Sequence, residues 1–147
     1  PQRDIFFPPF FFFVMAKSFF VSAAMAHAYH PNFPAAYEPG HKVMVNKGPV
    51  IKVHASQRYS TNAETAARFM ACCEKAGVPY QQYAHRSDLA CGSTIGPIVA
   101  AQLGIPTVDV GSPMWAMHSA RESAGVHDHG RGRAWRWSAR SGHLVVA

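Results

Sequence analysis

Charge is scarce in this chain, and what the sequence lacks narrows its chemistry before any motif is considered. Charged residues make up 15% of the 147 positions, whereas hydrophobic ones reach 48%. That balance suits a chain that buries a core rather than one that stays disordered. The net charge of +6 is also unevenly spread, because from Val126 onward Arg131, Arg133, Arg136 and Arg140 face Asp128 alone. The rest is only mildly basic and gives weak support for a nucleic-acid surface. Cysteines number three, Cys72, Cys73 and Cys91. The odd count, the adjacent pair and the missing CxxC spacing argue against a disulfide framework and for a reducing cytoplasm. No apolar run approaches the roughly 20 residues of a membrane span. Pro8 and Pro9 interrupt the run from Ile5 to Met15, and Lys17 follows. The same prolines fall where a signal peptide needs its helical region. No Met opens the chain, which begins as though cut from something longer.

The length suits one domain with a modest core. Three zones follow from composition. Residues 1–15 are low in complexity, with Phe6, Phe7 and Phe10 to Phe13 flanking the two prolines. Residues 16–125 read as ordinary globular sequence, and residues 126–147 as an irregular basic tail rich in Arg, Trp, Ser and Gly.

The middle zone alternates strand and helix signals. Phe19 to Val21 reads as a buried strand entering a small-residue turn at Ser22 to Ala24. Lys42 to Val53 reads as strand with an internal break at Gly48-Pro49. Thr61-Asn62-Ala63-Glu64 reads as a capping box opening a helix that Gly77 ends. Val78 to Arg86 is a further strand. Ser93 or Thr94 caps a second helix, with Ile95, Ile98, Val99 and Leu103 on one face and Gly104 at its end. Ile105 to Val110 is a short strand. This alternation predicts an α/β sandwich with a partly parallel sheet.

Nine histidines invite a metal reading, and each has an ordinary alternative. His27 and His30 lie three apart and could share a helix face, though HxxH alone more often marks ordinary histidines. His118 follows a predicted strand, where active-site residues of open α/β sheets gather; a lone His there is still more often structural. His127-Asp128-His129 looks ligand-like in an irregular stretch, while His41, His54, His85 and His143 show no partner spacing. A catalytic metal needs three protein ligands and an open position. The carboxylates away from the ends (Glu38, Glu64, Glu74, Asp88, Asp109 and Glu122) form no paired signature with a histidine, so spacing alone identifies no enzyme. The Gly92 to Pro97 turn could cradle an anion at a helix N-terminus, or be a tight strand-to-helix turn; it is neither a P-loop nor a dinucleotide fingerprint. Arg131 to Trp137 mixes cations with aromatics as single-strand binders do. A solvated end is the stronger reading there, and neither nucleic acid nor membrane is expected as a partner.

Several segments together resemble the aspartyl aminopeptidase family of metallopeptidases. They are Ser22 to Asn32 (SAAMAHAYHPN), Asn46 to Lys52 (NKGPVIK), Gln57-Arg58-Tyr59, Cys91 to Pro97 (CGSTIGP) and Met117 to Glu122 (MHSARE). The resemblance covers most of this chain but only the C-terminal part of the family's catalytic domain. It implies a partial αβα sandwich of the zinc-peptidase type. It also implies a hydrolase that removes Asp or Glu from peptide N-termini with two metal ions, typically zinc, with manganese or cobalt as options, in a homo-dodecamer. By resemblance His27, Lys52 and Tyr59 contact substrate, and His118 is a metal ligand. The family's second ligand in this stretch is an Asp, and Ala24 stands in its place. The general-base Glu and the remaining ligands belong to upstream family sequence, so this chain alone is expected to be inactive. Its two ends depart from the family pattern as a shifted reading frame would, which suggests a truncated or degenerate copy. A non-catalytic relic that keeps the family's oligomer contacts is the alternative.

Overall fold

A computed structural model describes residues 8–92 and 95–131, together with the backbone of residues 144–146. The chain opens with helix α1 (Pro9–Ala16) and enters strand β1 (Phe19–His27). A short 3-10 turn, η1 (Pro34–Ala36), precedes strand β2 (Val50–Val53) and helix α2 (Ala63–Lys75). Strand β3 (Gln81–Ala84), helix α3 (Ile95–Leu103) and strand β4 (Thr107–Trp115) follow, then the short strands β5 (Ser123–Ala124) and β6 (Leu144–Val146). The strands form one sheet in the order β3-β2-β4-β1-β6, with β5 pairing β4 at the side. β1 runs parallel to β4 and to β6, β2 runs parallel to β3, and β2 meets β4 antiparallel. The predicted partly parallel α/β sheet is present.

Alternation along β4 divides the two faces. Val108 and Val110, both buried, join Phe19, Val21, Ile51 and the α2 residues Ala66, Phe69 and Cys73 in the main core cluster. Asp109 between them points the other way, where an added Cβ on Gly96 of α3 would meet its carboxylate at 2.4 Å. Helices thus flank the sheet on both sides in a partial αβα arrangement. A second cluster joins Ala26, Val43, Val50, Tyr59 and Tyr83 and packs beside the residues of the cleft described below.

Several sequence expectations are corrected. Ser22 to Ala24 is no turn, because β1 continues through these residues to His27. An added Cβ on Gly111 of β4 would lie 2.6 Å from the Met25 carbonyl carbon, so the missing side chain of Gly111 lets β1 pass this close. His27 therefore ends a strand and His30 lies in the loop beyond, so the two share no helix face. The capping box exists one residue later than expected. Asn62, not Thr61, accepts from the Thr65 amide at 2.9 Å, and Thr65 Oγ1 accepts from the Asn62 amide at 3.0 Å. Thr61 is buried instead and accepts from the Asp109 amide at 2.9 Å. Gly77 ends α2 as expected, with φ +64, the Gly77 amide bonded to Glu74 O and the Val78 amide to Cys73 O. This double closure satisfies carbonyls that the helix end would otherwise leave open. Replacing Asn62 with Ala should cost about 1 kcal/mol of stability, readable as a lower urea midpoint. Glu64→Ala should move that midpoint far less, because the exposed Glu64 carboxylate pairs with Arg68 and takes no part in the box.

The apolar stripe of α3 faces outward, with Ile95, Ile98 and Leu103 exposed. Gly96 is the residue that α3 buries, so the helix packs through its least bulky position rather than through its stripe. At the ends, Pro9–Ala16 is helical, and residues 126–131 are also helical. The backbone of Leu144–Val146 pairs with β1. No helix among the described residues is long and apolar enough to cross a membrane.

Candidate active site

The parallel pairing of β1 and β4 sets the site. His27, the last residue of β1, lies opposite Met114, so β1 and β4 end side by side. Just past β4 the chain turns sharply, with Ala116 at φ +55 and His118 at φ +69. The Glu122 carboxylate accepts from the His118 amide at 2.7 Å and holds this turn. His27 and His118, 91 positions apart in the chain, thereby face one cleft of about 390 Å³. That cleft is also lined by Ala24, Lys52, Tyr59, His85, Cys91 and Glu122. All four residues that the resemblance singled out are therefore brought together, and so is Ala24.

Lys52 enters from β2 and is only 3% exposed. Its Nζ donates to Met25 O at 3.4 Å and sits 5.0 Å from the centre of the Tyr59 ring. Burial pushes its pKa below the ordinary lysine value, and the nearby Asp109 and Cys91 act in the opposite direction. Asp109 is fully buried and accepts from the Ser60 amide at 2.7 Å and from Ser60 Oγ at 2.8 Å. Those bonds fix the segment that carries Tyr59. The Tyr59 phenol is held well above its usual pKa, first by burial and then by its hydrogen bond with Cys91. It stays protonated at any ordinary pH and remains able to donate. Although His27 keeps an exposed edge, partial desolvation lowers its pKa, and His118, His85 and Lys52 add repulsion. A neutral imidazole there can both donate and accept.

Other expectations separate from this cleft. His30 lies against Phe33, with ring centres 5.3 Å apart and planes tilted by 50°, and His41 pairs with Glu38. In the His127-Asp128-His129 stretch it is Asp128 that works structurally: buried, it accepts from the Asn46 amide at 2.6 Å and the Gly48 amide at 2.9 Å. His143, Ser93 and Thr94 lie outside the described residues, as do the arginines and tryptophans of the tail beyond Arg131. Of the Gly92 to Pro97 turn, Gly92 lines the cleft and Gly96 rests on Asp109.

Sequence spacing offers no partner to His54 or His85, yet the fold pairs them. Val53 of β2 lies opposite Ala84 of β3, so the next residue of each strand emerges beside the other. The two rings stack at 5.1 Å with planes 18° apart, and Cys91 joins them. One ligand atom from each of His54, His85 and Cys91 lies within 4.8 Å of the others, a grouping able to hold a metal ion. Only the strand register carries this signal. Glu122 also lines the cleft, although sequence spacing gives its carboxylate no partner.

The sequence pattern of the aminopeptidase I zinc metalloproteases (M18) matches residues 9–135. The probable M18 family aminopeptidase 2 of Mycobacterium tuberculosis H37Rv is 59% identical over 114 residues, 78% of this chain and 26% of that protein. Its counterpart in Pseudomonas savastanoi pv. phaseolicola is 54% identical over 112 residues, 76% of this chain and 26% of that protein. The chain thus spans about a quarter of the length of the curated relatives it matches. Among solved structures, the Ape4 and Nbr1 complex contains a chain with TM-score 0.82 and 47% identity, covering 84% of this chain and 24% of that one. The S. cerevisiae mApe1 dodecamer gives TM-score 0.79 and 28% identity, covering 88% of this chain and 28% of that one. With a family match across most of its length, the chain belongs to the M18 aminopeptidase I family of zinc metalloproteases.

Proposed function

We propose that this chain forms the substrate-recognition wall of a metallo-aminopeptidase that releases acidic residues, Asp or Glu, from peptide N-termini. The observation that carries the reading is the convergence of His27, Lys52, Tyr59 and His118 on one cleft. Lys52 is a cation in a poorly solvated wall, where pairing with a substrate carboxylate is stronger than in water. Tyr59 donates its phenol hydrogen to the carbonyl oxygen of the scissile bond as negative charge develops there. The neutral His27 supplies a second hydrogen bond at the same end of the cleft. His118 is the one group of the family's metal set that this chain offers.

The family's zinc does not fit the residues of that set found here. A catalytic metal takes three protein ligands, whereas this set provides His118 and, at the position of the expected carboxylate, the methyl group of Ala24. The chain alone is therefore inactive, and the complete activity needs groups beyond it. One relative, mApe1, is a dodecamer, which supports a homo-oligomer for the complete protein. Ala24 also favours a second reading, in which the fold persists as a non-catalytic relic that keeps oligomer contacts. In either case, incubation with an Asp-initiated peptide should release no free Asp, with or without added zinc, manganese or cobalt. Ala24→Asp should not restore release. Metal-dependent turnover that vanishes in His118→Ala would show that the site assembles in some other way.

A further inference from the structure

We propose that His54, His85 and Cys91 bind a divalent cation of the zinc type in the wall of the cleft. None of the three is a residue that the family resemblance assigns to metal, and the aminopeptidase reading does not use them as ligands. Their chemistry suits such an ion: two imidazoles and a thiolate select borderline-soft cations over magnesium or calcium. Zinc sits about 2.0–2.1 Å from nitrogen and about 2.3 Å from sulfur, which puts tetrahedral ligand atoms roughly 3.3–3.6 Å apart. The three ligand atoms here lie within 4.8 Å of one another, so a contraction of about 1 Å by side-chain rotation closes the site. Both histidines leave paired strands at matched positions, which fixes their separation in advance.

A second observation points to a missing ligand. Nε2 of His85 is the buried side-chain polar atom without a hydrogen-bond partner among the described residues. The other nitrogen of that ring, Nδ1, lies 2.8 Å from the Tyr83 hydroxyl. With Nδ1–H donating to Tyr83, Nε2 presents a lone pair, the form in which histidine binds metal with its far nitrogen anchored. A bound cation gives this orphaned atom the partner it lacks. His54 Nδ1 accepts from the Ser56 amide at 3.0 Å. Coordination through Nε2 moves the ring proton to Nδ1 and gives up that bond, which the new metal–nitrogen bond replaces. Cys91 Sγ now donates to Gly92 O at 3.2 Å; on loading, the thiol releases its proton to solvent and the sulfur bonds the cation.

Three protein ligands leave a fourth position. Because His85 and Cys91 line the cleft, that position is open to water or to a carboxylate entering beside Lys52. Occupancy would also tie together the ends of β2 and β3 and the loop carrying Cys91, the partner of Tyr59.

The test is titration of the chelator-treated chain with cobalt(II), which reports ligands without any turnover. One equivalent should produce a near-ultraviolet thiolate-to-cobalt band. Cys91→Ser should abolish that band and weaken binding at least tenfold, while His118→Ala should leave it in place. A band that persists in Cys91→Ser, or one lost in His118→Ala, would overturn the proposal, as would the absence of any band. If Cys91→Ser fails to fold by circular dichroism, zinc-edge X-ray absorption of the unsubstituted protein decides. One sulfur with imidazole neighbours supports the site, and nitrogen and oxygen neighbours alone overturn it.

Discussion

Replacing Gly48 with Ala should cost about 3–5 kcal/mol of stability, among the larger effects a single substitution produces. Two independent causes add at this position. Gly48 has φ +94, a conformation that L side chains rarely adopt. An added Cβ would also lie 1.8 Å from Pro79 O and 2.8 Å from Pro79 C, and neither is a flexible group that can swing aside. Relief requires moving the Pro79 backbone, which leads directly into β3, where the Gln81 amide bonds Pro49 O at 2.9 Å. It would also disturb the Gly48 amide that donates to buried Asp128. Gly77→Ala is the control, since Gly77 has φ +64 but no atom within 4 Å of an added Cβ. It should lose only the backbone term, about 1 kcal/mol. Urea unfolding of the two variants separates strain from collision; equal losses would show that the Pro79 contact is relieved cheaply.

Asp109→Ala should be nearly as damaging, at about 3 kcal/mol or more, because of what the side chain accepts. The carboxylate is fully buried and accepts two bonds from Ser60, at 2.7 and 2.8 Å. Bonds to a charged acceptor contribute roughly 1.5–3 kcal/mol each, and truncation leaves the Ser60 donors with no partner. The bonds between Thr61 and the Asp109 backbone do not depend on the side chain and should survive. A local effect follows as well. Asp109 opposes the burial that lowers the Lys52 pKa, so its removal should lower that pKa further and make the amine reactive at a lower pH. Denaturation midpoints and the pH profile of Lys52 acylation measure the two consequences. A loss below about 1 kcal/mol would mean that the Ser60 segment is held by other contacts.

Much of this arrangement is legible in the sequence, for identifiable reasons. The strand and helix alternation, the stops at Gly77 and Gly104, and the set His27, Lys52, Tyr59 and His118 depend on local signals or on motifs in fixed order. What escapes reading depends on partners far along the chain. Ser22 to Ala24 looks like a turn because small residues favour turns, yet here they continue β1, paired with Asp109 to Gly111 of β4. The stripe of α3 looks like a core face, but the helix packs through Gly96 because Asp109 occupies the space beneath it. His54 and His85 carry no mutual spacing, since their pairing exists only once β2 and β3 register at Val53 and Ala84. The capping shift from Thr61 to Asn62 has the same origin: the Thr61 hydroxyl is taken up by the backbone of β4.

Whether this cleft receives an acidic side chain at Lys52 is read from ligand binding rather than turnover. Histidine resonances of His27 and His118 would be followed by NMR during titration with aspartyl-alanine and, separately, with asparaginyl-alanine, for the unsubstituted chain and for Lys52→Met. The aspartyl peptide should bind at least tenfold more tightly than the asparaginyl one, and Lys52→Met should erase the difference without loss of fold. Equal binding of the two peptides, or a preference that survives Lys52→Met, would contradict that role for Lys52.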